Sequence, residues 1–262
     1  IERFAGVAFH SAQWRHDINL TGKTVAVIGT GASAIQFVPQ IAPRVARLHL
    51  FQRTPPWVLP KADRPIKGIE EFLLRHLPVY RWAFRLEVYL RYAMRALLFT
   101  LKPQCIKLAE KPARKMLAAQ IADPQLRARL TPDYTIGCKR ILIANDYYPA
   151  LARPNVELVS DAIDRVTENA IVSRDGKTRP VDVIIYGTGF RATDLLTPMH
   201  IYGANGLDLN EAWRHGAEAY YGISVAGFPN FFMLMCPNTA LGHNSVVFMI
   251  EAQLRYIVDC IR

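Results

Sequence analysis

Gly29, Thr30, Gly31, Ala32 and Ser33 carry the strongest chemical signature in this 262-residue chain. They follow Val25-Ala-Val-Ile28, a continuous apolar run suited to a central parallel strand covered on both faces. They precede Ala34-Ile-Gln-Phe-Val-Pro-Gln-Ile, whose apolar residues recur at helical spacing. Gly29 permits a tight turn out of the strand, Gly31 lets a pyrophosphate approach the backbone, and Ala34 takes the third small position. The N-terminus of the following helix directs its N–H groups at the phosphates. In a strand–turn–helix setting, Gly-x-Gly-x-x-Ala predicts a dinucleotide site.

The next strand selects the dinucleotide. An NAD site places Asp or Glu at its end to hold the ribose hydroxyls. Here Arg47-Leu-His-Leu-Phe51 ends in Gln52-Arg53-Thr54, with no carboxylate. Arg53 stands where the 2′-phosphate of NADP would lie, and guanidinium suits bidentate phosphate contact. The competing assignment for Arg53 is a solvated surface arginine. The missing acid supports NADP independently of it.

Further patterns follow in order. Phe4, Gly6, His10 and Trp14 are spaced F-x-G-x-x-x-H-x-x-x-W. Gly137-Cys-Lys139-Arg140 precedes Asn145-Asp-Tyr-Tyr-Pro149. Tyr186-Gly-Thr188-Gly189-Phe190 and Pro237-Asn-Thr-Ala-Leu-Gly-His-Asn244-Ser245 complete the set. Together with Gln52-Arg-Thr-Pro-Pro-Trp-Val-Leu-Pro60, these motifs resemble those of the Baeyer–Villiger monooxygenases, flavoproteins that use FAD, NADPH and O₂. The likeness runs from residue 4 to about 250. It implies an α/β fold of two Rossmann-like dinucleotide domains. It also implies oxygen insertion beside a ketone carbonyl to give an ester or lactone.

The resemblance assigns roles. Phe4, Gly6, His10 and Trp14 form the fingerprint in the linker entering the NADPH domain. Arg53, Thr54 and Lys139 face the NADP phosphate. Thr188, Gly189 and Asn244 lie in cofactor-binding segments. Arg140 is the catalytic residue, supplying fixed positive charge where charge develops. On residue type alone, His10 is a core or hinge histidine, with an orienting role favoured over a general base. Trp14 is a packing residue, and His243 precedes a helix whose positive end could favour a reduced flavin. Phe231, Phe232, Leu234 and Met249 suggest a small hydrophobic ketone or ordinary core. Two departures stand out. Arg15 follows Trp14 where Pro or Asp is usual, and no earlier Gly-rich FAD motif is present. The chain is therefore expected to be roughly the C-terminal half of a longer enzyme. Two other classes stay open: a flavin monooxygenase acting on nitrogen or sulfur, and a non-catalytic NADP-binding fragment.

The elements that must position these residues give a linker over 1–18, an NADP-binding domain over 19–190, and a C-terminal part of an FAD domain over 191–262. Strands are expected over 155–160, 162–167, 170–173, 181–186 and 229–236. A hairpin is expected at 174–177, and a helix from Ser245 to Arg262 capped near Asn244 or Ser245. A helical insertion, about 63–135, carries much of the net charge of +10. Residues 61–130 hold 15 Lys and Arg against 6 Asp and Glu. Arginines 81, 85, 91 and 95 project onto one helical face. Four arginines and Glu87 argue against a transmembrane span. A lid or docking helix is favoured over a membrane-surface helix. No nucleic-acid motif accompanies the charge. Cysteines 105, 138, 236 and 260 form no C-x-x-C pair, which points to a reduced, cytoplasmic protein. No metal site is expected, because no partner stands at ligand spacing from His10.

Overall fold

The computed structural model describes residues 4–101, 106–191, 194–196, 198–239 and 245–262, with backbone only over 95–101. Its strands are β1 (Val7–His10), β2 (Thr24–Ile28), β3 (Arg47–Phe51), β4 (Val58–Leu59), β5 (Leu142–Ile143), β6 (Val156–Val159), β7 (Ile163–Val166), β8 (Ala170–Ser173), β9 (Thr178–Pro180) and β10 (Val183–Tyr186). Its helices are α1 (Ala34–Ile41), α2 (Ile69–His76), α3 (Pro78–Leu101), α4 (Ile106–Gln120), α5 (Pro124–Leu130), α6 (Tyr147–Leu151), α7 (Leu209–Ala212) and α8 (Val246–Ile261). The chain divides into two units, Ile1–Arg64 with Gln104–Gly189, and Pro65–Pro103 with Phe190–Arg262.

The first unit is built on a parallel five-stranded sheet of order β1-β10-β2-β3-β6. Alternating side chains of a strand face opposite sides, so a central strand covered on both faces must be apolar throughout. Val25 and Val27, Leu48 and Leu50, and Val183 and Ile185 bury one face in a core that includes residues of α1 and α6. Ala26, Phe51, Ile184 and Val159 bury the other face with Ile171 of β8. There β7, β8 and β9 form an antiparallel meander. The expected hairpin is its β8–β9 turn, where Gly176 has φ +80°.

A polar cluster ties this meander to the sheet. Arg179 of β9 donates from Nε and Nη2 to Glu157 Oε1 at 3.1 and 2.8 Å, and from Nη1 to Ser173 Oγ at 2.6 Å. His49, paired with Glu157 across β3 and β6, places Nδ1 2.8 Å from Glu157 Oε2. Burial pushes the His49 imidazole below its ordinary value and outweighs the pull of Glu157. Burial would raise Glu157, but the hydrogen bond and charge of Arg179, with His49, hold it below its usual value. A neutral imidazole beside a carboxylate must donate from Nδ1, since the carboxylate only accepts.

In the second unit, Arg85 of α3 bonds both carboxylate oxygens of Glu251 on α8, and Tyr89 packs on Phe248 with ring centroids 5.2 Å apart. The N-cap of α8 is Ser245, whose side chain accepts from Phe248 N. Arg91 pairs with Glu87 on its own helix, and Val79, Trp82 and Leu90 are exposed. The side chain of Arg95 lies outside the described residues. Residues 229–236 do not form the expected strand. Asn230 and Met235 adopt φ of +65° and +55°, which breaks an extended run, and only Phe232 makes a bridge, to Ser224. Among the described residues no helix is long and apolar enough to cross a membrane.

The His49–Glu157–Arg179 cluster, with His49 and Arg179 buried, makes stability depend on pH. Both shifted groups bind protons more readily in the unfolded chain, so acidification favours unfolding. Denaturant unfolding of the first unit in the intact protein should show stability falling as pH drops below about 6.5, the ordinary His range. It should fall further once the carboxylate range is reached. His49→Gln should flatten the first part of that profile. An unchanged slope would remove His49 from the account.

Candidate functional site

The carboxyl edge of the parallel sheet positions the glycine turn. Gly29 leaves β2 with φ +109°, and its N–H donates to Phe51 O of β3 at 3.0 Å. A Cβ on Gly29 would lie 2.4 Å from Gly187 O, because β10 runs beside β2 and ends at the same level. Gly31 has open space instead, with nothing within 4 Å of a Cβ built on it. The first turn of a helix leaves its N–H groups without intrahelical acceptors. Among the described residues, the amides of Thr30, Gly31, Ala32 and Ser33 have no backbone acceptor. Ser33 also makes no side-chain cap, so its hydroxyl is not used to close the end of α1. Donors with open space before them suit an anion such as a pyrophosphate. The turn therefore fits the group predicted for it.

A second device brings the two cationic segments together. β4 pairs in parallel with β5, with Val58 beside Leu142 and Leu59 beside Ile143. Buried Trp57 donates from Nε1 to Tyr134 O at 2.8 Å, and the Tyr134 hydroxyl donates to Pro55 O at 3.2 Å. Asn145 closes the other end, with Oδ1 accepting from Lys61 N at 2.8 Å and Nδ2 donating to Lys61 O at 2.9 Å. Arg53 is two residues from Pro55 and exposed. Thr54 O accepts from Thr30 Oγ1 at 3.4 Å, joining this segment to the glycine turn. Lys139 sits with Nζ 4.7 Å from the Tyr134 ring centroid. Arg140 is exposed, and neither it nor Arg53 has a hydrogen-bond or ion-pair partner among the described residues. Burial raises the Tyr134 phenol above its ordinary value, so it remains an O–H donor at neutral pH.

The fingerprint residues build the edge of the sheet. A Cβ on Gly6 would meet Asp182 O at 2.5 Å and the Phe4 ring at 2.6 Å, and Phe4 packs against the meander-side core. His10 ends β1 opposite Tyr186, and its Nδ1 accepts from Ala12 N at 3.1 Å, which caps the turn that follows. Trp14 packs edge-on against Phe9 at 5.4 Å and against Phe37 of α1 at 5.2 Å. Thr188 and Gly189 are exposed just beyond β10, with Gly189 at φ +99°. His243 and Asn244 lie outside the described residues. In the second unit Phe231, Phe232 and Met249 are half-buried and Leu234 is exposed. Among the described residues no group of His, Cys, Asp or Glu could hold a metal ion. Sequence reasoning missed Tyr134 and the backbone contacts of Asn145. Tyr134 falls in Thr131-Pro-Asp-Tyr-Thr135, a turn composition that carries no chemical signal.

No protein-family model matches the chain. It is 52% identical over 262 residues to a Baeyer–Villiger monooxygenase of Pseudomonas aeruginosa and 48% identical over 265 residues to one of Streptomyces coelicolor, covering all of this chain and 50% of each relative. It is 41% identical to an FAD-binding monooxygenase of Aspergillus niger, covering 43% of that protein. A solved steroid monooxygenase bound to NADP matches at TM-score 0.80 and 31% identity, over 100% of this chain and 57% of that one. A cyclohexanone-bound cyclohexanone monooxygenase matches at TM-score 0.80 and 28% identity, over 99% and 58%. The chain thus spans about half the length of the curated relatives it matches.

The two glycines should separate folding from binding. Gly29→Ala forces a side chain against Gly187 O at a positive φ and should cost roughly 1–3 kcal/mol of stability. Gly31→Ala meets nothing in the fold and should melt with the parent. It should nevertheless weaken dinucleotide binding by about tenfold or more by filling the space a pyrophosphate needs. Thermal melting alongside cofactor titration checks both. Full binding by Gly31→Ala would place the phosphates elsewhere.

Proposed function

We propose that this chain is part of a Baeyer–Villiger monooxygenase, like the relatives it matches over about half their length, and that it serves an NADPH- and FAD-dependent enzyme that inserts one oxygen atom of O₂ beside a ketone carbonyl. The product is an ester or lactone. The observation that carries this reading is the β4–β5 clamp, which holds the Arg53 segment and the Lys139-Arg140 segment in one construction. In this reading, residues 19–190 are the NADP-binding domain and 191–262 belong to the FAD domain.

Each residue then has a task. The amides of Gly29, Thr30, Gly31, Ala32 and Ser33 hold the NADP pyrophosphate. Arg53, Thr54 and Lys139 hold the 2′-phosphate, with Arg53 offering two parallel N–H donors. Thr188, Gly189 and Asn244 contribute to the cofactor surface. Phe4, Gly6, His10 and Trp14 fix the entry of the chain into the domain. When bound, reduced FAD supplies the activated oxygen. Arg140 supplies fixed positive charge where negative charge develops on oxygen during transfer, and needs no reorganisation to do so. The substrate is a small hydrophobic ketone, in line with the cyclohexanone bound by one structural neighbour. The scattered cysteines favour the cytoplasm.

The basic helices are a lid or docking element in this reading, since Arg85 and Arg91 already pair with Glu251 and Glu87. Salt-releasable binding to anionic vesicles would contradict that. Arg140→Ala in the complete enzyme should still load FAD and bind NADPH, yet lose ester formation by roughly a hundred- to a thousandfold. Product analysis decides: conversion at near the parental rate would move the charge to another residue.

A further inference from the structure

Lys139 and Arg53 reach the clamp from segments far apart in sequence, and one side chain contacts Lys139 and the backbone of the segment that carries Arg53. The Tyr134 ring lies 4.7 Å from Lys139 Nζ, and its hydroxyl donates to Pro55 O at 3.2 Å, two residues after Arg53. Trp57 in turn fixes the Tyr134 backbone through a 2.8 Å bond from Nε1 to Tyr134 O. Lys139 has no hydrogen-bond or ion-pair partner among the described residues, so the ring is its one described electrostatic contact. A lysine ammonium rides on a flexible four-carbon stem, and confining that stem on a phosphate costs conformational entropy. A ring that already holds the ammonium removes part of that cost before the cofactor arrives.

We propose that Tyr134 is a positioning residue for cofactor selectivity: its ring holds the Lys139 ammonium while its hydroxyl tethers the Arg53 segment, so that both cations meet the 2′-phosphate from a preset arrangement. The proposal rests on the NADP assignment of Arg53 and Lys139. Tyr134 itself touches no cofactor. Its effect is confined to the one feature that distinguishes NADP from NAD, because Lys139 would have no phosphate to meet on NAD.

The test is equilibrium binding of NADP⁺ and NAD⁺ to the full-length protein, read as the ratio of the two affinities. Tyr134→Leu removes the ring and should lower the NADP⁺ preference by roughly three- to tenfold, the range of one partly exposed cation–π contact. Tyr134→Phe keeps the ring and loses only the Pro55 tether, so it should lose less of the preference than Tyr134→Leu does. In a Lys139→Ala background, Tyr134→Leu should lower the preference no more than Tyr134→Phe does. Where Leu impairs folding, Tyr134→Gln gives the same ring-free comparison with a polar tip. Equal losses for NADP⁺ and NAD⁺, or an undiminished effect without Lys139, would overturn the positioning role. Arg53→Ala and Lys139→Ala serve as controls. If neither alters the ratio, the NADP assignment itself fails. If both do and the Tyr134 variants do not, only this inference fails.

Discussion

At the carboxyl ends of β2 and β10 the backbones of Gly29 and Gly187 approach so closely that a Cβ on Gly29 would fall 2.4 Å from Gly187 O. Everything at the proposed site depends on that approach. It lets two parallel strands leave the sheet side by side while the chain turns at once into α1. The turn therefore keeps its amides at the sheet edge, and no side chain intrudes. Gly31, one step further, faces open space. A larger residue at Gly29 would push the turn away from β10 and carry the start of α1 with it.

The second constraint is the short β4–β5 pair. Two-residue strands contribute little by themselves, and the pair is held by buried Trp57, by Tyr134 and by Asn145. These groups fix backbone rather than ligand, which leaves the exposed cations Arg53, Lys139 and Arg140 near it without acidic partners among the described residues. Contrast Arg179, which is buried and fully engaged by Glu157 and Ser173. A buried guanidinium must be paired, whereas an exposed one is free to receive an anion. The same residue type thus does structural work on β9 and is available for binding beside β4.

The strands of the main sheet could be read in advance because apolar residues on both faces leave an uninterrupted run, as in Val25–Ile28 and Val183–Tyr186. The glycine turn could be read because its spacing answers a steric demand. The resemblance of ordered motifs located the Arg53 and Lys139-Arg140 segments, although neither composition nor period reveals that β4 and β5 pair. Residues 229–236 misled because an apolar run says nothing about the positive φ of Asn230 and Met235. The His49–Glu157–Arg179 cluster and Tyr134 were invisible for another reason. Their partners lie up to 108 and 79 residues away, and only the fold brings them together.

The central claim is that this sheet edge discriminates for a 2′-phosphate. Calorimetric titration of the full-length protein with adenosine 2′,5′-bisphosphate and with adenosine 5′-monophosphate tests it with the fewest assumptions, since the two differ only in that group. The account predicts that the bisphosphate binds tighter by about tenfold or more, with the advantage shrinking as salt is raised. Equal affinities would show that Arg53 and Lys139 are ordinary solvated cations and would contradict the account.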